Sequence, residues 1–95
     1  MQIEHVTASI DNAMKTLEAL KGQSGAIYRV AQAVVRTLQA NGKVLTAGNG
    51  GSAAEALHMA EELAGRFRGN RRSLPGLCLA ADCTALTCIA NDFGY

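Results

Sequence analysis

The stretch Lys43-Val44-Leu45-Thr46-Ala47-Gly48-Asn49-Gly50-Gly51-Ser52 decides the reading of this chain. Its first five residues form a short apolar strand. The next five turn sharply, and residues 53–67 continue as a helix with Ala53, Ala56, Leu57, Ala60, Leu63, Ala64 and Phe67 available for burial. Ser52 and Glu55 match an S-x-x-E capping box at the helix start. Arg68 to Ser73 is polar and basic, and Pro75-Gly76 reads as a turn. Leu77-Cys78-Leu79-Ala80-Ala81 is a second buried strand. Strand, loop, helix, strand predicts a parallel βαβ unit with a right-handed crossover.

Upstream, residues 2–21 read as an amphipathic helix with Ile3, Val6, Ile10, Met14, Leu17 and Leu20 on one stripe. Gly22 and Gly25 break the pattern, with Ser24 as a cap for the next helix. Ile27, Val30, Ala31, Val34 and Leu38 mark that second helix, stopped by Asn41-Gly42. Downstream, Asp82 is placed to cap a short helix over residues 84–90. The organisation is helical over 1–41, then βαβ and a short helix over 43–95. Two strands fall short of the roughly four to six of a typical sheet, so the pattern reads as the front half of an α/β domain.

Composition narrows the function classes. Ninety-five residues with 48% hydrophobic and 18% charged side chains describe globular protein, not disorder. A net charge of +1 argues against a generally basic nucleic-acid binder, and the four aromatic residues are too scattered for a base-stacking platform. No run approaches the roughly 18 apolar residues of a membrane span, and no secretion signal is visible. Cys78, Cys83 and Cys88 are odd in number and spaced C-x4-C-x4-C. That suits neither a disulfide framework nor a structural zinc site, and reads as three buried thiols in a reducing cytoplasm.

Chemistry concentrates in two places. The Gly48–Ser52 loop lets backbone amides turn toward a ligand, and the helix after it adds free N–H groups at its positive end. Such a place suits a phosphate or a polar sugar; the plainer alternative is a tight strand-to-helix turn. The string also fits the dinucleotide pattern G-x-G-x-x-A through Gly48, Gly50 and Ala53. Asp82 then stands 34 positions after Gly48, where that fingerprint expects an acidic residue after about 20. On the helix, Glu55, His58, Glu62 and Arg66 share one stripe, with His58 and Glu62 an i, i+4 pair able to share a metal or a substrate proton. The competing reading is a solvated, charge-laced face. Arg66, Arg68, Arg71 and Arg72 supply four of the nine basic residues, as anion attractors or as a soluble loop. His5 reads as a surface residue without a partner.

The strings NGKVLTAGNGGSAAEALHMAEELAGRFRGNR and CIANDFGY resemble the phosphoheptose isomerase family of sugar-isomerase (SIS) domains. The likeness rests on GNGGS, H-x-x-E-E-L-x-G-R and NDFG occurring together. It implies an SIS-type, flavodoxin-like α/β fold with a parallel sheet flanked by helices. It also implies a cytoplasmic enzyme converting sedoheptulose 7-phosphate to D-glycero-D-manno-heptose 7-phosphate, for bacterial lipopolysaccharide or capsule heptose. By the family pattern Asn49, Gly50, Gly51 and Ser52 help hold the sugar phosphate. His58 and Glu62 match metal ligands, usually zinc, and Glu62 also matches the base. Arg66, Asn91 and Asp92 match positions near the substrate. A homo-oligomer of tetrameric size, with sites between subunits, is implied, and neither nucleic acid nor membrane is an expected partner.

Departures accompany the likeness. Ala53 and Ala54 stand where relatives carry His or Cys. The family domain is about twice as long. Its serine- and threonine-rich phosphate loop and its late Gln and His have no counterpart here. Two ligands are too few for zinc, which takes three or four protein ligands, so residues 1–95 alone are expected to be inactive. The alternative function is a non-catalytic SIS-domain binding protein, related to a branch that associates with the replication initiator. The His58, Glu61, Glu62 pattern favours the enzyme.

Overall fold

A computed structural model describes residues 1–94. The elements in order are α1 (Ile3–Leu20), a 3-10 turn (Lys21–Gln23), α2 (Ser24–Gln39), β1 (Val44–Thr46), α3 (Gly51–Ala64), β2 (Gly76–Cys78) and α4 (Cys83–Phe93). The chain divides into two compact units, residues 1–33 and residues 34–95.

The first unit is helical. At its start the ring Nδ1 of His5 accepts the Gln2 amide at 3.1 Å, so His5 is exposed as expected but not without a partner. The expected break at Gly22 does not form. The backbone stays right-handed helical at Lys21 and Ser24, and only a 3-10 turn separates α1 from α2. Nor does Ser24 cap amides. Its hydroxyl donates back to the Lys21 carbonyl at 2.6 Å, the competing use of a serine beside a helix. The stripe of α1 stands open, from Leu20 at 47% exposure to Ile3 at 76%.

The second unit holds the candidate site residues. Helix α2 ends as its sequence predicts. Asn41 takes the left-handed conformation at φ 59°, Gly42 N–H donates to the Thr37 carbonyl at 2.8 Å, and Asn41 N–H donates to Leu38 at 3.1 Å. That pair of bonds is a Schellman stop.

β1 and β2 pair in parallel, with Val44 opposite Gly76, Leu45 opposite Leu77 and Thr46 opposite Cys78. Both strands are shorter than expected. Gly76, read as part of a turn, opens β2, and the Pro75 carbonyl accepts the Val44 amide at 2.9 Å. Beyond Cys78 the chain turns at Leu79 and Ala80 instead of extending, the Ala81 amide closing the turn on the Cys78 carbonyl at 3.2 Å.

Period-two alternation sets the faces. Val44, Thr46, Gly76 and Cys78 are half-buried, whereas Leu45 and Leu77 are exposed. Helix α3 crosses from β1 to β2 and presents Ala56 and Ala60, the buried hydrophobic residues among those described. Small side chains permit close approach. A Cβ on Gly76 would lie 2.8 Å from Leu63 Cβ, and the Thr46 hydroxyl donates to the Ala56 carbonyl at 2.7 Å.

Of the other candidate core residues, Leu63 and Ala53 are half-buried, Leu57 and Ala64 are exposed, and Phe67 lies exposed beyond the helix end. The cysteines are free thiols, but Cys83 and Cys88 are exposed on α4 and only Cys78 is half-buried. The expectation of three buried thiols is corrected accordingly.

Candidate functional site

The glycine loop is shaped by two positions. Gly48 leaves no room for a side chain, since a Cβ would stand 2.5 Å from the backbone carbon and oxygen of Ser52. Gly50 adopts φ 55° and ψ −126°, the first central position of a II′ turn, which favours glycine. The Ser52 amide closes that turn on the Asn49 carbonyl at 3.0 Å.

This turn starts α3 at Gly51, with Gly50 as its N-cap. Ser52 therefore lies inside the first turn, and the Ser52–Glu55 capping box does not form. The Asn49 carbonyl also accepts from Ala53 at 3.3 Å, and the Gly50 carbonyl from Ala54 at 3.4 Å. Among the described residues the amides of Gly50 and Gly51 find no acceptor. An open pair of donors at the positive end of a helix is an anion-binding arrangement.

Further along α3, His58 Nε2 and Glu62 Oε1 lie 3.0 Å apart. Their side chains are 69% and 38% exposed, so the pair sits within reach of a ligand. Two ligands bound at about 2.1 Å to a tetrahedral ion stand about 3.4 Å apart, so this imidazole and carboxylate need only open slightly to share one. The donor types fit zinc. Among the described residues, however, no group of three His, Cys, Asp or Glu side chains gathers to complete such a site.

The helix ends earlier than its periodicity suggests. Ala64 is its last residue, and Arg66 lies beyond it, off the stripe that carries His58 and Glu62. The backbone leaves the helical region at Gly65, with φ −88° and ψ −132°, whose N–H makes the last i−4 bond to the Glu61 carbonyl at 2.7 Å, and Leu74 N–H takes the carbonyl of Leu63 at 2.9 Å. Arg71 reaches the carbonyls of Glu62, Leu63 and Gly65 at 2.5, 3.1 and 3.1 Å. One of four basic residues read as anion attractors is thus occupied by the backbone. Arg68 lies 5.4 Å over the Phe67 ring, and Arg66 and Arg72 are exposed.

A cleft of about 730 Å³ opens at the C-terminal ends of the strands, where α/β sheets bind ligands. Gly48 and Asn49 form one wall, and Leu79, Cys83, Leu86 and Ala90 contribute to the other. The α4 side was missed from sequence, although Cys83, Leu86, Thr87 and Ala90 recur at helical spacing. Of the expected site residues, Asn49 lines this cleft. Asn91 and Asp92 lie outside that lining, with Asn91 Nδ2 donating to Asp92 Oδ1 at 3.3 Å and Cys88 Sγ 3.5 Å from Asp92 Oδ2. Asp82 is a cap as expected, its Oδ1 accepting the Ala85 amide at 3.0 Å. Tyr95, the end of the CIANDFGY string, lies outside the described residues.

Comparison with known proteins identifies the architecture. The SIS domain family matches residues 8–95.

The chain belongs to the SIS domain family.

It is 45% identical over 93 residues to the phosphoheptose isomerase of Roseiflexus sp. (strain RS-1), covering 98% of this chain and 46% of that protein. It is 43% identical over 94 residues to the phosphoheptose isomerase of Geotalea uraniireducens, covering 98% and 50%. Among solved SIS structures, the phosphoheptose isomerase GmhA of Neisseria gonorrhoeae superposes with a TM-score of 0.83 at 36% identity, over 96% of this chain and 47% of that one. The phosphoheptose isomerase of Francisella tularensis superposes with a TM-score of 0.89 at 29% identity, over 99% and 50%. The chain spans about half the length of these relatives. The mixed α/β fold with a parallel sheet is that of the SIS proteins it superposes on.

Proposed function

We propose that these residues serve a ketose–aldose sugar-phosphate isomerase, as the N-terminal portion of a single SIS domain. The substrate is sedoheptulose 7-phosphate and the product D-glycero-D-manno-heptose 7-phosphate, for lipopolysaccharide or capsule heptose in the cytoplasm. The observation that carries this reading is the His58–Glu62 pair, 3.0 Å apart, on the helix that opens with the free amides of Gly50 and Gly51. The similarity to phosphoheptose isomerases supports it.

The roles derive from the geometry and the family pattern. Asn49, Gly50, Gly51 and Ser52 hold the sugar phosphate. Glu62 lies about 16 Å along the helix axis from Gly51, a span that the N-terminal tilt of its side chain shortens. A ligand meeting both ends is elongated, as an open-chain phosphorylated sugar is. The Glu62 carboxylate takes a proton from C1 of the ketose, the electron pair forms the C1–C2 double bond, and charge moves to the C2 oxygen. The C1 hydroxyl then passes its proton to the C2 oxygen, and return of the abstracted proton from Glu62 to C2, as the C1–O bond becomes the carbonyl, gives the aldose.

His58 and Glu62 would hold a zinc ion, with the remaining ligands drawn from residues other than those described. When bound, such an ion supplies Lewis-acid stabilisation of the enediolate oxygens. Arg66, Asn91 and Asp92 approach the substrate in a homotetramer whose sites lie between subunits.

The deciding experiment is isomerisation of sedoheptulose 7-phosphate by the full-length protein. Turnover that disappears in Glu62→Gln supports the reading. Wild-type turnover in that variant removes Glu62 as the base. Absence of turnover in the intact protein, together with capture of the replication initiator, favours the binding-protein alternative. Wild-type turnover from residues 1–95 alone overturns the assignment of missing ligands to the rest of the domain.

A further inference from the structure

We propose that Arg71 is a positioning residue for Glu62, acting through the last turn of α3 and not through the substrate. The inference rests on the reading of Glu62 as the base. Its guanidinium Nη2 donates to the backbone carbonyl of Glu62 itself at 2.5 Å. Nη1 donates to Leu63 and Gly65, each at 3.1 Å, and to Arg72 at 3.0 Å. Arg71 is half-buried, whereas Arg66, Arg68 and Arg72 are exposed.

That arrangement has three consequences. First, the two hydrogens on Nη1 are already shared among three carbonyls, and Nη2 is engaged as well. The end-on face of the fork, formed by Nη1 and Nη2 and one of its two paired faces, is taken by backbone. Second, the terminal carbonyls of a helix need partners or the last turn frays. Here the fraying turn would be the one that carries Glu62. The fixed Arg71 charge also complements the negative end of the helix. Third, holding the Glu62 carbonyl fixes the direction of its Cα–Cβ bond, and hence the aim of the carboxylate that meets His58 at 3.0 Å. Proton abstraction is sensitive to aim, since misplacement by about 1 Å can cost about 100-fold in rate.

Lysine cannot reproduce this role. Its ammonium is a point charge and lacks the planar fork that spans successive carbonyls. A phosphate-binding arginine, by contrast, would be partly replaced by lysine.

The test uses the full-length protein with sedoheptulose 7-phosphate. It compares Arg71→Lys, Arg71→Met, Glu62→Gln and the double variant Arg71→Lys/Glu62→Gln. Turnover is normalised to the folded fraction from near-ultraviolet circular dichroism, and Arg71→Lys serves if Arg71→Met does not fold. The expected result for Arg71→Lys is a loss of about 10- to 100-fold in kcat, as for other residues that orient a functional group. KM stays within about threefold, and the double variant is no slower than Glu62→Gln alone within about threefold, because both act through one group.

A rise in KM of more than about tenfold with kcat retained would mark Arg71 as a substrate ligand and overturn the proposal. Wild-type kcat in the folded fraction of Arg71→Lys overturns it as well, leaving a purely structural clasp. So do losses that multiply in the double variant. Failure of the underlying reading shows separately, as wild-type turnover in Glu62→Gln itself.

Discussion

The two ends of α3 are built on opposite principles. Its N-terminus has no side-chain cap, and the Gly50 and Gly51 amides find no acceptor among the described residues. Its C-terminus is closed by Arg71, Leu74 and Gly65, which together take the carbonyls of Glu61, Glu62 and Leu63. Helix α4 offers a reference, since Asp82 caps its start in the ordinary way. One open end and one sealed end on the same helix imply different tasks. The open end is free to meet an anion, and the sealed end holds the turn that bears Glu62.

The largest expected effect tests the residue between those ends. Glu62→Gln keeps the size and the helical position while removing the carboxylate proposed as the base. Turnover should fall by about 100-fold or more, the usual scale for loss of general-base catalysis. Stability should change by less than about 1 kcal/mol, because the Glu62 side chain is 38% exposed and exposed pairs contribute little. Parallel turnover and urea-unfolding measurements on the full-length protein separate the two. A loss of stability matching the loss of rate would break the comparison, because Glu62 would then belong to the sealed end.

Next in size is Gly48→Ala. The new Cβ would meet backbone atoms of Ser52 at 2.5 Å and Ala53 N at 2.8 Å, none of them able to swing aside like a side chain. Relieving that overlap should cost about 3 kcal/mol, at the upper end for overpacking. The midpoint of urea unfolding reports it. An unchanged midpoint would mean that the loop moves independently of α3, against the close approach of Gly48 to Ser52.

How much of this was legible in the sequence depended on how local the cause was. The βαβ order, the Asn41 stop and the Asp82 cap rest on residues a few positions apart, and they appear as read. The helix start was misread by two residues. Ser52-x-x-Glu55 matched a capping box, but the II′ turn at Gly50 begins the helix at Gly51 and places Ser52 within it. The helix end was misread, and the partners that hold it are not local. Apolar spacing runs on to Phe67, yet the backbone leaves the helical region at Gly65, and Arg71 and Leu74 take the carbonyls from beyond the loop. Arg71 itself looks like its basic neighbours in the sequence and differs from them only in what it touches. His58 and Glu62 were paired correctly by i, i+4 spacing, while Arg66 left their stripe once the helix stopped.

A smaller effect is expected at the reference cap. Asp82→Ala removes the acceptor of the Ala85 amide, and loss of an N-cap typically costs about 1 kcal/mol. Because Cys83, Leu86 and Ala90 help wall the cleft, a frayed α4 start should also loosen that wall. Urea unfolding measures the first effect and hydrogen exchange of the α4 amides the second. A neutral substitution would show that α4 does not need its cap, and the contrast with α3 would lose its reference.

The smallest expected effect is the most discriminating. Gly51 is the first residue of α3, and an added Cβ there meets nothing within 4 Å. Gly51→Ala should therefore stabilise the protein by about 0.5 kcal/mol, through lower chain entropy in the unfolded state. In a helix the Cα–Cβ bond leans toward the N-terminus, so the methyl group would stand beside the open amides. If those amides hold the sugar phosphate, the same substitution should raise KM by about threefold to tenfold, equivalent to about 0.6 to 1.4 kcal/mol. Stability and binding then move in opposite directions, as expected where a site keeps a glycine that folding alone does not require. A protein that gains stability and keeps its KM would show that the open end of α3 is only a turn.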